Sequence, residues 1–140
     1  MSYADIWKKA QAEQGATKTR KHTRHVEDDL QIACVNWFSY QHQQLATLLH
    51  HSPNGGKRDA REAARFKAMG VRPGFPDLIL LHPSNGYHFL CIEMKTKTGK
   101  QSDYQKDYQQ RVEAEGGKYV VCRTLEEFID VVNTYLQPSQ

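Results

Sequence analysis

The chain has no long apolar run, no paired cysteines and no large excess of one charge. No apolar stretch approaches the roughly 20 residues that a membrane helix needs. The opening residues, Met1-Ser2-Tyr3-Ala4-Asp5-Ile6-Trp7, lack the apolar core of a secretory signal. A chain with neither feature is expected inside the cell and off the membrane. The three cysteines, Cys34, Cys91 and Cys122, lie far apart in separate apolar runs, with no CxxC pair. They read as buried free thiols, not as a disulfide or a zinc site. The seven histidines show no HExxH spacing, which excludes that zinc pattern. No internal repeat is present. What remains is a 140-residue chain, 39% apolar and 25% charged, long enough for one domain with its own core.

The net charge of +3 is small, but its distribution is uneven. Lys18, Arg20, Lys21, His22, Arg24 and His25 form a basic run in an N-terminal extension over residues 1–24. The domain proper is read over residues 25–140. Lys57, Arg58, Arg61, Arg65, Lys67 and Arg72 form a second basic cluster, and Lys95, Lys97, Lys100 and Lys106 a third. Basic surface beside an acidic pocket points to a polyanion drawn toward a cation site. A mixed solvated surface is the plain alternative.

Apolar positions at Val26, Leu30, Ala33, Cys34, Trp37 and Phe38 step by three and four, which predicts a helix ending near Gln43. Leu45 to His50 reads as a first strand, stopped by Ser52-Pro53-Asn54-Gly55-Gly56. Residues 58–69 read as a helix closed by Gly70. Two strands follow at 78–81 and 89–92, joined through Pro83-Ser84-Asn85-Gly86. Ser102 then opens a helix with the stripe Tyr104, Tyr108, Val112. Lys118–Cys122 is a fourth strand, rich in β-branched and aromatic residues. Thr124 opens a last helix ending before Pro138. A strand–helix–strand crossover implies parallel pairing of the last two strands. The expected architecture is α/β, a small mixed sheet flanked by helices.

The most informative residues are Asp77, after Pro76 at the start of one strand, and Glu93 and Lys95 at the end of the next. Alternation along a strand puts Glu93 and Lys95 on one face. If Ser84 and Asn85 form the hairpin tip, Asp77 faces Ile92. One further loop residue puts it opposite Glu93. Burying two carboxylates and an ammonium is costly unless they are paired or hold a metal. Two carboxylates suit Mg²⁺, which keeps waters and takes phosphate oxygens. Such an ion can polarise a phosphodiester and supply a water of lowered pKa. Lys95 can orient that water or offset developing charge. The pattern therefore fits metal-assisted phosphodiester hydrolysis.

The same residues carry a family resemblance. Pro76-Asp77 with Glu93-x-Lys95 resembles the signature of the PD-(D/E)xK, or restriction endonuclease-like, superfamily with its αβββαβ core. The chain is more closely similar to the VRR-NUC family. That resemblance rests on Pro53-Asn54-Gly55-Gly56-Lys57-Arg58, on Gly70-Val71-Arg72-Pro73-Gly74-Phe75-Pro76-Asp77-Leu78, on Ile92-Glu93-Met94-Lys95 and on Ser102-Asp103-Tyr104-Gln105. It spans about residues 25–136.

The resemblance implies Asp77 and Glu93 as metal ligands, the Met94 carbonyl as a third, and Lys95 as the catalytic lysine. Gln105 would support the lysine or the phosphate, although it also stands at capping-box spacing from Ser102. Glu27, on the first helix, would complete the site or else favour the helix N-terminus. Asn54, Gly55, Lys57, Arg58, Arg61, Arg65, Lys97 and Lys100 are the expected nucleic-acid contacts. Arg58, Arg61 and Arg65 share one helix face, and the Asn54-Gly55 amides suit a phosphate. The implied cofactor is Mg²⁺ or Mn²⁺, with no small-molecule cofactor. The implied partners are branched, flapped or four-way-junction DNA and a second copy of the chain, with no membrane. The setting implied is repair, recombination or phage replication in the cytoplasm of a bacterium or a phage-infected host. The alternative is a module of the same fold that grips DNA without cutting it.

Overall fold

The computed structural model describes residues 21–53 and 59–138, with side chains from His25 onward. Four strands form one sheet in the order β1 (Leu49–His51), β2 (Leu78–Leu80), β3 (Leu90–Met94) and β4 (Lys118–Cys122). β1–β2 and β2–β3 pair antiparallel, and β3–β4 pair parallel. Helix α1 (Lys21–Gln41) precedes the sheet, and α2 (Ala60–Met69) links β1 to β2. Helix α3 (Asp103–Ala114) makes the β3–β4 crossover, and α4 (Leu125–Leu136) closes the domain.

The sheet has two unlike faces because side chains alternate along each strand. On one face Leu78, Leu80, Leu90, Ile92, Met94 and Cys122 meet Cys34 and Phe38 of α1 and Phe128, Val132 and Tyr135 of α4. On the other face Cys91 and Tyr119 meet Val112 of α3, with Ile79, Phe89, Tyr108 and Val121 packed around them. Burial pushes the thiols of Cys34, Cys91 and Cys122 up to about 12, so all three stay protonated and unreactive.

The local starts and stops follow from side-chain chemistry. Asp59, Ser102 and Thr124 each cap a helix by accepting a backbone N–H three residues on. Gly70 ends α2 in the left-handed conformation, φ 108°. The hairpin tip is Asn85-Gly86, both at positive φ, flanked by reciprocal bonds between Ser84 and Tyr87. This is the two-residue turn geometry that Asn-Gly favours. The Asn85 side chain also donates to the Thr134 carbonyl at 2.9 Å, fastening the hairpin to the end of α4.

Four expectations need correction. The tip lies one residue later than Ser84-Asn85, and the arm between Leu80 and Ser84 holds one residue more than the arm between Tyr87 and Leu90. Leu78 therefore faces Ile92, and the register carried back one step sets Asp77 opposite Glu93. The run 45–50 divides into a 3₁₀ turn, Gln43–Leu48, and a shorter strand beginning at Leu49. Apolar residues alone do not separate those two states. Helix α2 starts at Ala60, because Asp59 takes the cap. Val26 and Tyr104, both read as core-facing, are 50% and 66% exposed, since each sits in a helix end beyond the sheet.

Candidate active site

The site forms where β2 begins and β3 ends, on the face covered by α3. Its first element is the turn that delivers Asp77. Gly74 lies at φ +82°, and any Cβ there would collide with the Tyr104 carbonyl at the start of α3. Only glycine permits that close approach. Phe75 then packs edge-on against Tyr108, ring centroids 5.5 Å apart, and Pro76 is buried. The segment is thus pinned to α3 just before Asp77. The Asp77 Oδ2 accepts the Met94 N–H at 2.7 Å, a bond that joins the two strands of the site. The Asp77 carbonyl accepts from His51 Nδ1 at 2.7 Å. A carbonyl can only accept, so His51 carries its proton on Nδ1.

Glu93 is 2% exposed, the one buried charged residue among those described. Gln105 Nε2 donates to its Oε1 at 2.9 Å, and the Tyr119 hydroxyl donates to its Oε2 at 3.2 Å. Lys95 Nζ stands 3.9 Å from Oε1. The strand register sets Asp77 opposite Glu93 on the same face. Burial is the largest influence on Glu93 and raises its pKa; the Asp77 charge and hydrogen bond add to that, against Lys95 and Tyr119. A buried carboxylate facing a second acid is costly to ionise unless a cation offsets its charge. This donor set, two hard oxygen ligands with a lysine beside them, fits a divalent ion that keeps waters and completes its shell on phosphate.

The structure brings together Asp77, Glu93, Lys95 and Gln105, with the Met94 backbone N–H bonded to Asp77. Gln105 does both things its position allowed. Its side chain closes the capping box with Ser102, accepting the Ser102 N–H at 2.8 Å, and its amide reaches Glu93. Glu27 is half-buried, while Asp28 and Asp29 face solvent. Its pKa is raised by burial and then by Asp77, with Lys95 opposing. Among the described residues, no three His, Cys, Asp or Glu side chains gather as metal ligands. Glu27 thus stands on α1 where the charges of both Asp77 and Lys95 reach it.

The expected nucleic-acid contacts divide. Arg61 and Arg65 are exposed on α2, a helix with no buried residue. Lys97 and Lys100 are exposed in the loop after Lys95. Arg123 Nη1 holds that loop by donating to the carbonyls of Thr96 at 2.7 Å and Gly99 at 2.6 Å. Asn54, Gly55, Lys57 and Arg58 lie outside the described residues.

Sequence reading missed Tyr119 and Arg123 as parts of the site; His51, at the end of an apolar run, could have been read as lining the cleft or as packing or solvent-facing, and it bonds the Asp77 carbonyl. Tyr119 reads as one more apolar strand residue. Its alternation with Val121 on the Glu93 face was the available signal, once β3 and β4 are set parallel.

Comparison with known proteins agrees with this geometry. The family model for the VRR-NUC domain matches residues 8–125. A solved structure described as a VRR_NUC domain protein is 34% identical over 78% of this chain and 86% of that one, with a TM-score of 0.69. No curated protein matches. The chain thus belongs to the VRR-NUC family, whose nuclease-type function is directed at DNA.

Proposed function

We propose that this chain is a Mg²⁺- or Mn²⁺-dependent endodeoxyribonuclease that acts on branched DNA such as flaps and four-way junctions. The observation that carries the reading is buried Glu93 set opposite Asp77 on one face of the sheet, with Lys95 Nζ 3.9 Å from the glutamate. Asp77 and Glu93, with the Met94 carbonyl, would hold the ion. When bound, it supplies Lewis acidity to the phosphodiester and lowers the pKa of a water. Lys95 stands at the rim, 17% exposed in its side chain, where an ammonium meets a phosphate oxygen. There it orients the attacking water and offsets charge as the new P–O bond forms and the ester P–O bond breaks. Gln105 fixes Glu93 from the first turn of α3.

Arg61, Arg65, Lys97 and Lys100 supply exposed positive charge for the DNA backbone, a class of contact that positions a duplex without reading its sequence. Asn54, Gly55, Lys57 and Arg58, which precede α2 in the chain, are further DNA contacts in this reading. A homodimer would place two such sites on one junction, so that both strands are cut.

The test is a panel of labelled single strands, duplexes, flaps and four-way junctions, each incubated with Mg²⁺, Mn²⁺ or EDTA. The expected result is metal-dependent cutting that favours branched forms and stops in EDTA. No metal-dependent cutting of any form would leave a DNA-binding module without catalysis.

A further inference from the structure

The two oxygens of Glu93 are held unequally. Oε1 faces Gln105 and Lys95, residues close in sequence to the site motif. Oε2 is held by Tyr119, which comes from the neighbouring parallel strand β4. Tyr119 is 5% exposed and its phenol has one proton to give. That proton goes to Glu93, so the phenol oxygen is left as an acceptor. Gln101, in the loop that follows Lys95, stands beside that phenol. The Gln101 amide donates to Gln109 Oε1 at 3.0 Å, and Gln109 in turn donates to Glu113 at 2.8 Å. A line of amides thus runs from α3 to the loop beside Tyr119, whose hydroxyl bonds the buried carboxylate.

We infer that Tyr119 is a positioning residue for the cation site: it holds the Glu93 carboxylate in the orientation that takes a divalent ion together with Asp77, and Gln101 sets the phenol. The inference rests on the reading of Asp77 and Glu93 as ligands. Groups that orient a metal ligand without touching the metal typically change affinity by about 10- to 100-fold when removed. Tyr119 meets the physical requirement. It is buried, its one donor is spent on Glu93, and its hydroxyl has no other described role. The energetic cost of leaving a buried carboxylate oxygen without its donor falls on the site and not on the packing, because Tyr119→Phe keeps the ring.

The experiment is a calorimetric titration of Mn²⁺ into the full chain and three variants, with thermal unfolding measured in EDTA. Tyr119→Phe should weaken Mn²⁺ binding by about 10- to 100-fold while the ring-packed fold persists. Gln101→Ala should weaken it in the same direction by less. Val112→Ala, which trims the same apolar cluster, should lower the melting temperature and leave the Mn²⁺ affinity unchanged. Raising the metal concentration should restore cleavage to Tyr119→Phe. Equal Mn²⁺ affinity in wild type and Tyr119→Phe would overturn the inference and leave the ligand reading standing. Affinity lost as much in Val112→Ala would overturn it too, since packing alone would then explain the effect. A wild-type chain that binds no Mn²⁺ would overturn both the ligand reading and the inference.

Discussion

The two faces of strand β3 carry opposite kinds of chemistry. Leu90, Ile92 and Met94 point into the larger core, where every buried neighbour but sulfur-bearing Cys34, Cys122 and Met94 and the phenol of Tyr135 is hydrocarbon. Cys91 and Glu93 point the other way, toward α3, and Lys95 continues that face. One strand therefore serves stability on one side and reactivity on the other. The larger core can tolerate no charge, because nothing in it would satisfy one. The smaller face tolerates a buried carboxylate because Gln105, Tyr119, Lys95 and Asp77 surround it.

That contrast can be broken by substitution. Lys95→Met should lower cleavage by about 100- to 1,000-fold, the usual cost of losing one charge-stabilising donor. Its melting temperature should stay close to wild type, because Lys95 contributes little packing. Phe128→Ala should do the reverse. Phe128 is fully buried in the larger core, and its loss should cost about 3–5 kcal/mol of stability. For a domain of this size that is a drop of about 3–4 °C in melting temperature per kcal/mol. Cleavage per folded molecule should be unchanged. Denaturant melts and single-turnover assays on both variants check the separation.

Gly74→Ala tests whether the two sides of the site are joined through the Gly74–α3 contact. The substitution introduces strain at positive φ and a collision with the Tyr104 carbonyl. Strain of this kind costs about 1–3 kcal/mol. Activity should fall further than stability, since Asp77 lies three residues on and Gln105 one residue from Tyr104.

The same contrast has a pH dependence. In EDTA, the raised pKa of Glu93 means that the folded chain binds a proton the unfolded chain has already released. Stability from this group is full below the ordinary carboxylate pKa, about 4.3, and is lost as pH rises from there toward the folded value. Metal-free protein should therefore melt at a lower temperature at pH 8 than at pH 5, and Glu93→Gln should flatten that dependence. Melting curves across that range in EDTA measure it.

Much of this contrast was legible in the chain. Alternation alone put Glu93 and Lys95 together, and the apolar runs around them marked buried strands. Strand β4 and helix α4 stand where propensity and capping place them. The hairpin register was not fixed in advance, because residues 81–89 include an irregular stretch in which one residue decides the pairing. That residue matters greatly: a slip of one turns Asp77 toward the larger core, away from Glu93. Tyr119 was hidden for a different reason. Its bond to Glu93 crosses between strands 26 residues apart, and no local pattern reports such a contact.

The central claim is that the Asp77–Glu93 pair makes this fold a cutting enzyme and not merely a DNA grip. Asp77→Asn tests it most directly, with binding and cleavage of one labelled four-way junction measured side by side in Mg²⁺. The account predicts junction binding within about threefold of wild type (about 0.65 kcal/mol) and no detectable cleavage. Undiminished cleavage by Asp77→Asn would contradict it.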